Sequence, residues 1–343
     1  MMSGTLGEGM AAAIVRPARK TDLPKLEAMI SRVDPGMLTM PQTAEAMAAR
    51  VERSLAAFAR PSAPPENECY FLVMEEEGEL QGVAGIFTNL GHDRPFYSYR
   101  ISRDSKVSPE TGVKVETDLL HLVNDYHGDT ELGTLFIERN ARGGGRGRLL
   151  SFSRLMLLAV DPVRFGPKAM AEIRGWTNDE GRSPFWDAVG AKFFRMDYRV
   201  ADALSAKDHR FIADLMPRYP IYADLLPEEA RAVIGRPHPN AEPAFAMLKS
   251  QGFRFNQVVD IFDAGPCVEA FVEHVDIVRN AQTMPAQEFA ASDAAMSGLV
   301  AVASTPGFSA TQAGKGEPRQ NVLSRIGATG SDRVLVHRFR EKP

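Results

Sequence analysis

The sequence predicts a mixed α/β domain built over one twisted sheet, and three observations carry that prediction. Apolar runs of strand character alternate with helical periods in the order βααββ(β)βαβα. Glycine, proline and acidic turns punctuate the runs at the places where the period changes. The apolar fraction of 44% and charged fraction of 24% are ordinary for a folded globular chain.

Each element has a local reason. "AIVRPARKTDLPKLEAMISRV" reads as a short strand, a turn and a helix capped by Thr21 or Asp22, with Pro24 in its first turn and Leu26, Met29, Ile30 and Val33 at helical spacing. "TAEAMAARVERSLAAFAR" is a second amphipathic helix, stopped by "PSAPPEN". "CYFLVMEEEGELQGVAGIFTNL" is a β-hairpin around the turn "EEEGEL", and "FYSYRIS" a further strand. "TELGTLFIE" is the next strand, followed by a glycine loop and the largely apolar helix "GRLLSFSRLMLLAV". "KAMAEIRGWTN" reads as a strand and "SPFWDAVGAKFF" as a helix with Ser183 as its cap. After a polar break near 203–208 come the short helices "HRFIADLMP" and "PEEARAVIG". The helix–glycine–strand run "EPAFAMLKSQGFRFNQVVDIFDAGP" then matches the plan of "SPFWDAVGAKFFRMDYRVAD", which reads as an internal duplication. The Ala/Ser/Gly-rich stretch 285–314 reads as a linker, and "VLSRIGATGSDRVLVHRFRE" as strand, turn, strand. The expected organisation is a disordered extension over 1–11, a first domain over 12–204, a second partial half over 205–282, and a linker with a small C-terminal β unit over 283–343.

Totals narrow the function classes. A net charge of −4 lacks the basic excess of a general nucleic-acid binder, and no apolar run approaches the ~20 residues that span a bilayer. Cys69 and Cys267 make neither a metal spacing nor a disulfide framework, so no metal site is expected and a cytoplasmic setting is the natural one.

The motif with chemistry is RGGGRG, Arg142 to Gly147, lying between an apolar strand and an apolar helix. A strand feeding a glycine turn that opens a helix presents free N–H groups and a partial positive charge to an anion. Arg142, Arg146 and Arg148 add donors, and Gly143, Gly144, Gly145 and Gly147 let backbone approach closely. It is neither a Walker loop nor a dinucleotide fingerprint, and the spacing alone fits a solvated loop equally well.

Longer segments decide between those readings. The R-x-x-G-x-G pattern of Arg142, Gly145 and Gly147 resembles the coenzyme A pyrophosphate loop of GCN5-related N-acyltransferases. "YSYR", "TELGTLFI", "AEIRG", "SPFWDAVGAKFFRMD", "FIADLMPRYPIY", "EEARAVIGRPHPNAEPAFAMLKSQGF" and "VDIFDAGP" resemble the arginine N-succinyltransferases within that superfamily, over 14–282. "MLTMPQTAEA" lacks the family's glycine-rich run before its Leu-Pro, His127 is unusual, and the chain after Gln282 matches loosely.

The resemblance implies a GCN5-related N-acyltransferase-like fold and succinyl transfer from succinyl-CoA to the α-amine of L-arginine or ornithine. The coenzyme would be a co-substrate rather than a permanently bound cofactor. Leu135, Phe136 and Ile137 would meet the pantetheine arm with their backbone, and one N–H would face the developing oxyanion. His238 in "GRPHPN" matches the family's proton donor. Arg100 and Arg174 would suit the succinyl carboxylate, and Asp125, Glu131, Glu172, Asp260 and Asp263 form the pool for a cationic acceptor. Two alternatives stay open: a different acyl donor or amine, and a mainly structural partner subunit. Family members can pair as similar chains, so a homo- or hetero-oligomer is expected.

Overall fold

A computed structural model describes residues 13–32, 39–205, 210–292 and 295–339. The extension expected over 1–11, and Val33 of the first helical stripe, lie outside the described residues.

In chain order the elements that position the site are β1 (Ile14–Pro17), α1 (Leu23–Ile30), α2 (Ala44–Ala59), β2 (Cys69–Glu76), β3 (Glu79–Phe87), β4 (Ser98–Val107), β5 (Lys114–Val123), β6 (Thr130–Glu131), β7 (Phe136–Ile137), α3 (Arg146–Val160) and β8 (Lys168–Glu172). After short helices come β9 (Ile221–Tyr222), helix Glu242–Ser250, β10 (Arg254–Val259) and β11 (Pro266–Phe271). The chain closes with β12 (Gln282–Pro285), β13 (Gly298–Val302), β14 (Ala310–Ala313), helix Arg319–Ile326 and β15 (Arg333–Arg338).

The strands form one sheet in the order β12-β15-β13-β14-β1-β2-β3-β6-β8-β11-β10-β4-β5-β9, with β7 also on β3. The pairings are antiparallel except β6 with β8, which run parallel. The hairpin of β2 and β3 turns through Glu77 and Gly78, both at positive φ, as its acidic glycine turn implies. Leu149 to Leu158 of α3 are buried on all sides, and the helix forms the centre of the main core with Tyr70, Leu72 and Ala171. The other face of the sheet is covered by α1 and α2 through Leu26, Met29, Met47 and Val51.

Several expectations are corrected. "TELGTLFIE" is not one strand but two short ones, because Thr134 takes a left-handed φ of 49° between them. "SPFWDAVGAKFF" breaks into helices Pro184–Ala188 and Gly190–Phe194, where a Cβ on Gly190 would stand 2.2 Å from the Trp186 ring. The two segments with a common plan diverge after their glycines, since helix Tyr198–Ser205 follows the first and β10 the second. The stretch 285–314 is no linker: β13 and β14 lie in the sheet, and Leu299, Ala301, Phe308 and Ala310 are core residues. "VLSRI" is helical, because Val322, Leu323 and Ile326 bury one helical face and Gly327 ends the turn at φ 70°.

Candidate active site

The split strand creates the site. β6 and β8 pair at Thr130 with Ala169 and Glu131 with Met170, and the last link between them is Leu132 N–H to the Met170 carbonyl at 2.8 Å. Beyond it the chain swings away. Phe136 and Ile137 pair only with Val83 and Gly82 of β3, so among the described residues the β8-facing edge of β7 is unpaired. Besides the Gly85 N–H, which donates to the Gly133 carbonyl at 3.0 Å, three side-chain contacts hold the kink. The Thr134 N–H donates to Thr39 Oγ1 (2.9 Å), the Thr134 hydroxyl donates to the Thr39 carbonyl (2.8 Å), and Arg154 Nη1 donates to the Gly133 carbonyl (3.3 Å). Burial lowers the pKa of that arginine to about 10.

A cavity of about 280 Å³ fills the gap, lined by Leu135, Phe136, Ile137, Arg142, Arg174 and Asn240 among others. Directly after Arg142 of its lining, Gly143, Gly144 and Gly145 stand in succession at φ 104°, 57° and 81°, a path that disfavours side-chain-bearing residues. They deliver the chain into α3, which starts at Arg146 with no side chain capping it. The amides of Gly147 and Arg148 meet no protein acceptor among the described residues, whereas the Arg146 amide is used by the Gly143 carbonyl (3.1 Å). The Arg142 side chain is exposed beside this opening. Arg146 differs from expectation. Its guanidinium is committed to Glu76 by two 2.8 Å hydrogen bonds, so only its backbone belongs to the loop.

A second cavity, about 500 Å³, adjoins the first, and the two share Thr39, Glu131, Glu172, Asp260 and Phe262 in their walls. Both volumes suit small ligands. The shared wall is acidic. Asp260 and Asp263 are taken up by backbone: Asp260 Oδ1 accepts from Phe262 (2.7 Å) and Asp263 (2.9 Å), and Asp263 accepts from Gly175 and Gly265 (2.8 Å each). Glu131 and Glu172 have no such hydrogen bonds among the described residues. They project from one face of the β6–β8 pair, two positions apart in register. Burial raises the Glu131 carboxyl to about 7, outweighing the attraction of Arg50 and Arg154. Burial, then the neighbouring Asp260, Glu131 and Asp263, pushes Glu172 upward as well.

The second cavity is also lined by basic residues, Arg50, Arg53 and Arg94. The Arg50 guanidinium sits 4.8 Å over the Phe87 ring and donates to the Thr39 carbonyl at 2.9 Å. Arg50 was missed from sequence, yet a signal existed. It stands three residues after Met47 and four before Ser54, on the buried face of α2, where a cation needs a reason.

His238 lies between two residues of the first cavity. Its N–H donates to the Arg174 carbonyl (2.8 Å), and its Nδ1 accepts from the Asn240 N–H (3.1 Å). A ring whose Nδ1 accepts carries its neutral-state hydrogen on Nε2. Arg174 lines the cavity, with Nη2 on Thr177 Oγ1 (3.3 Å) and Nε buried without a hydrogen-bond partner among the described residues. Arg100 and Asp125 are not part of this assembly. They pair with each other at 2.6 Å on the half-exposed face of β4, lining neither cavity.

A sheet splayed beside a strand–glycine turn–helix unit is the arrangement of a GCN5-related N-acyltransferase-like fold. The comparisons make this particular. A family model described as arginine N-succinyltransferase beta subunit matches residues 13–277. The chain is 39% identical over 272 residues to arginine N-succinyltransferase subunit beta of Pseudomonas aeruginosa, spanning 79% of this chain and 80% of that protein. It is 37% identical over 278 residues to arginine N-succinyltransferase of Salmonella paratyphi B, spanning 80% of each. Among solved structures, arginine/ornithine succinyltransferase subunit AI from Pseudomonas aeruginosa superposes with a TM-score of 0.85 at 28% identity, over 96% of this chain and 99% of that one. The chain belongs to the arginine N-succinyltransferase family. No helix among the described residues is long and apolar enough to cross a membrane.

Proposed function

We propose that the protein transfers the succinyl group of succinyl-CoA to the α-amine of L-arginine. The carrying observation is the pair of joined cavities: one is lined by the open strand β7 and by Arg142 at the start of the glycine turn, the other by both acids and arginines, and they share Glu131 and Glu172. Such a cleft suits an acceptor that is a cation at one end and a zwitterion at the other.

The diphosphate of the coenzyme lies on the Gly147 and Arg148 amides, with Arg142 alongside. The pantetheine arm follows the open edge of β7, and the Leu135 N–H faces the thioester oxygen. A donor of this kind is worth about 2.7–4 kcal/mol where it meets the developing oxyanion. Arg174 receives the succinyl carboxylate and Arg50 that of the amino acid, while Glu172 faces the guanidinium. The α-ammonium surrenders one proton to Glu131, whose pKa near 7 suits the task. The freed amine attacks the thioester carbon. As the C–S bond breaks, the second amine proton passes to the departing sulfur, whose developing charge the Nε2–H of His238 meets as a hydrogen-bond donor. Asp263, in the wall of the first cavity, acts as a backbone staple, and Asp125 and Arg100 have no part in the site.

The relatives' names include subunit designations, which favours an assembly of like chains over a solitary one. A cytoplasmic setting accords with both cysteines being buried and unpaired. The test is thiol release from succinyl-CoA with a panel of amines. Release with L-arginine supports the reading. Release only with acetyl-CoA or another amine replaces it, and silence until a sister chain is added makes this chain a partner subunit.

A further inference from the structure

The hairpin of β4 and β5 is paired from Ser98 with Val123 out to Val107 with Lys114, and its outer half is solvent-exposed. Val107 (62%), Val113 (54%) and Val115 (51%) are among the most exposed large apolar side chains. On the outer side of β5 only β9 pairs, at Leu119 and Leu120. From Lys114 to Asp118 the strand therefore has no neighbour on that side among the described residues. An exposed edge of this length with apolar side chains is a template for another strand. Beside it a shallow cavity of about 340 Å³ lies between Val115, Thr117, Tyr222 and Leu225, the last 82% exposed.

We propose that this edge pairs antiparallel with β5 of a second copy of the chain, about a two-fold axis through Val115. Charge selects both occupant and register. With Val115 opposite itself, Lys114 meets Glu116 on both sides of the axis and Val113 meets Thr117. The ion pair that Lys114 and Glu116 make within one chain becomes an alternating square of four charges across two chains. Centring the axis on Lys114 or on Glu116 sets like charges face to face, which destabilises a strand pair. Centring it on Thr117 sets Glu116 against Asp118 and runs the pairing into β9 at Leu119. The Val115 register also ends cleanly. The partner strand reaches Gly112, the left-handed residue of its own hairpin turn, opposite Asp118, just short of the position β9 occupies. The edge is self-complementary, so a second copy fits it better than an unrelated strand. Residues 101–120 line neither of the two joined cavities. The inference therefore stands or falls apart from the acyl-transfer reading.

The experiment uses the full chain with Val115→Cys, and with Val107→Cys as a control on the strand behind the edge. The native cysteines are buried and leave little background. Under mild oxidation Val115→Cys is expected to run at twice the chain mass on a non-reducing gel and to collapse to single mass with reductant, while Val107→Cys stays single. Sedimentation of the unmodified chain at micromolar concentration is expected to give a dimer or larger even assembly. Val115→Glu should weaken it at least tenfold with an unchanged circular dichroism spectrum. A monomeric native chain would overturn the proposal. So would a dimer in which Val115→Cys fails to cross-link, or one indifferent to Val115→Glu.

Discussion

Glu131 is asked to do two things that oppose each other energetically. Burial holds its carboxyl near 7 instead of 4.5, so between those values the folded chain keeps a proton that the unfolded chain has lost. Stability therefore falls as pH rises through that window, by on the order of 3 kcal/mol in total. The proposed base must be ionised, so kcat/KM should climb over the upper part of the same window. Glu131→Gln is expected to remove this stability slope, leaving the variant the more heat-resistant at pH 8, and to lower kcat/KM by ~10²–10⁴. A variant that keeps the limb near pH 7 in its rate profile would acquit Glu131 as base. For His238→Ala the expectation is a fall in kcat of ~10²–10⁴ with coenzyme affinity nearly unchanged. Unaltered turnover would take His238 out of the mechanism. Glu131, Glu172, Arg174 and His238 could each be nominated from the sequence as chemistry-bearing residues of matched segments. Nothing in the sequence separated Glu131 and Glu172 from Asp263, which the fold uses as a backbone staple, or from Asp125, which it pairs with Arg100.

At the scale of elements, the glycine turn and α3 follow from local pattern, because consecutive glycines before an apolar helix act through backbone geometry alone. Gly145→Asp tests that unit. The residue sits at φ 81°, a Cβ there would lie 2.9 Å from the Gln312 side chain, and a carboxylate would face the proposed diphosphate. Coenzyme A affinity measured by calorimetry should drop at least tenfold, and an unchanged affinity would count against the cradle. The split between β6 and β7 was not legible. "TELGTLFIE" has the alternation of a continuous strand, and its break depends on Thr134 at positive φ, held by Thr39 from 95 positions away. The reason lies in a partner that no local window contains. The same applies to Arg50, whose place in the lining of one cavity with Glu131 and Glu172 arises from the packing of α2 on the sheet.

Across the whole molecule, the C-terminal strands are part of one sheet rather than an appendage. β14 pairs with β1, with Ile14 opposite Thr311 and Val15 opposite Ala310, while Leu299, Phe308 and Leu335 enter the same core as α3. A chain ended at residue 281 would leave β1 with a bare edge and that part of the core uncovered. It is expected to be recovered mostly as aggregate, or to melt at least 10 °C below the full chain in a thermal scan. A truncation with an undiminished midpoint would restore the reading of 283–343 as a separable unit. The sequence by itself determined what short-range physics can write: strand and helix periods, the acidic hairpin turn, the glycine turn before a buried helix, and motifs specific enough to suggest the family. Only the tertiary structure decided which carboxylates share a wall between two cavities, where the strand parts from its neighbour, and that residues 298–338 complete the main sheet. Those outcomes depend on burial and on hydrogen bonds between residues tens to hundreds of positions apart, where composition and periodicity carry no record of who meets whom.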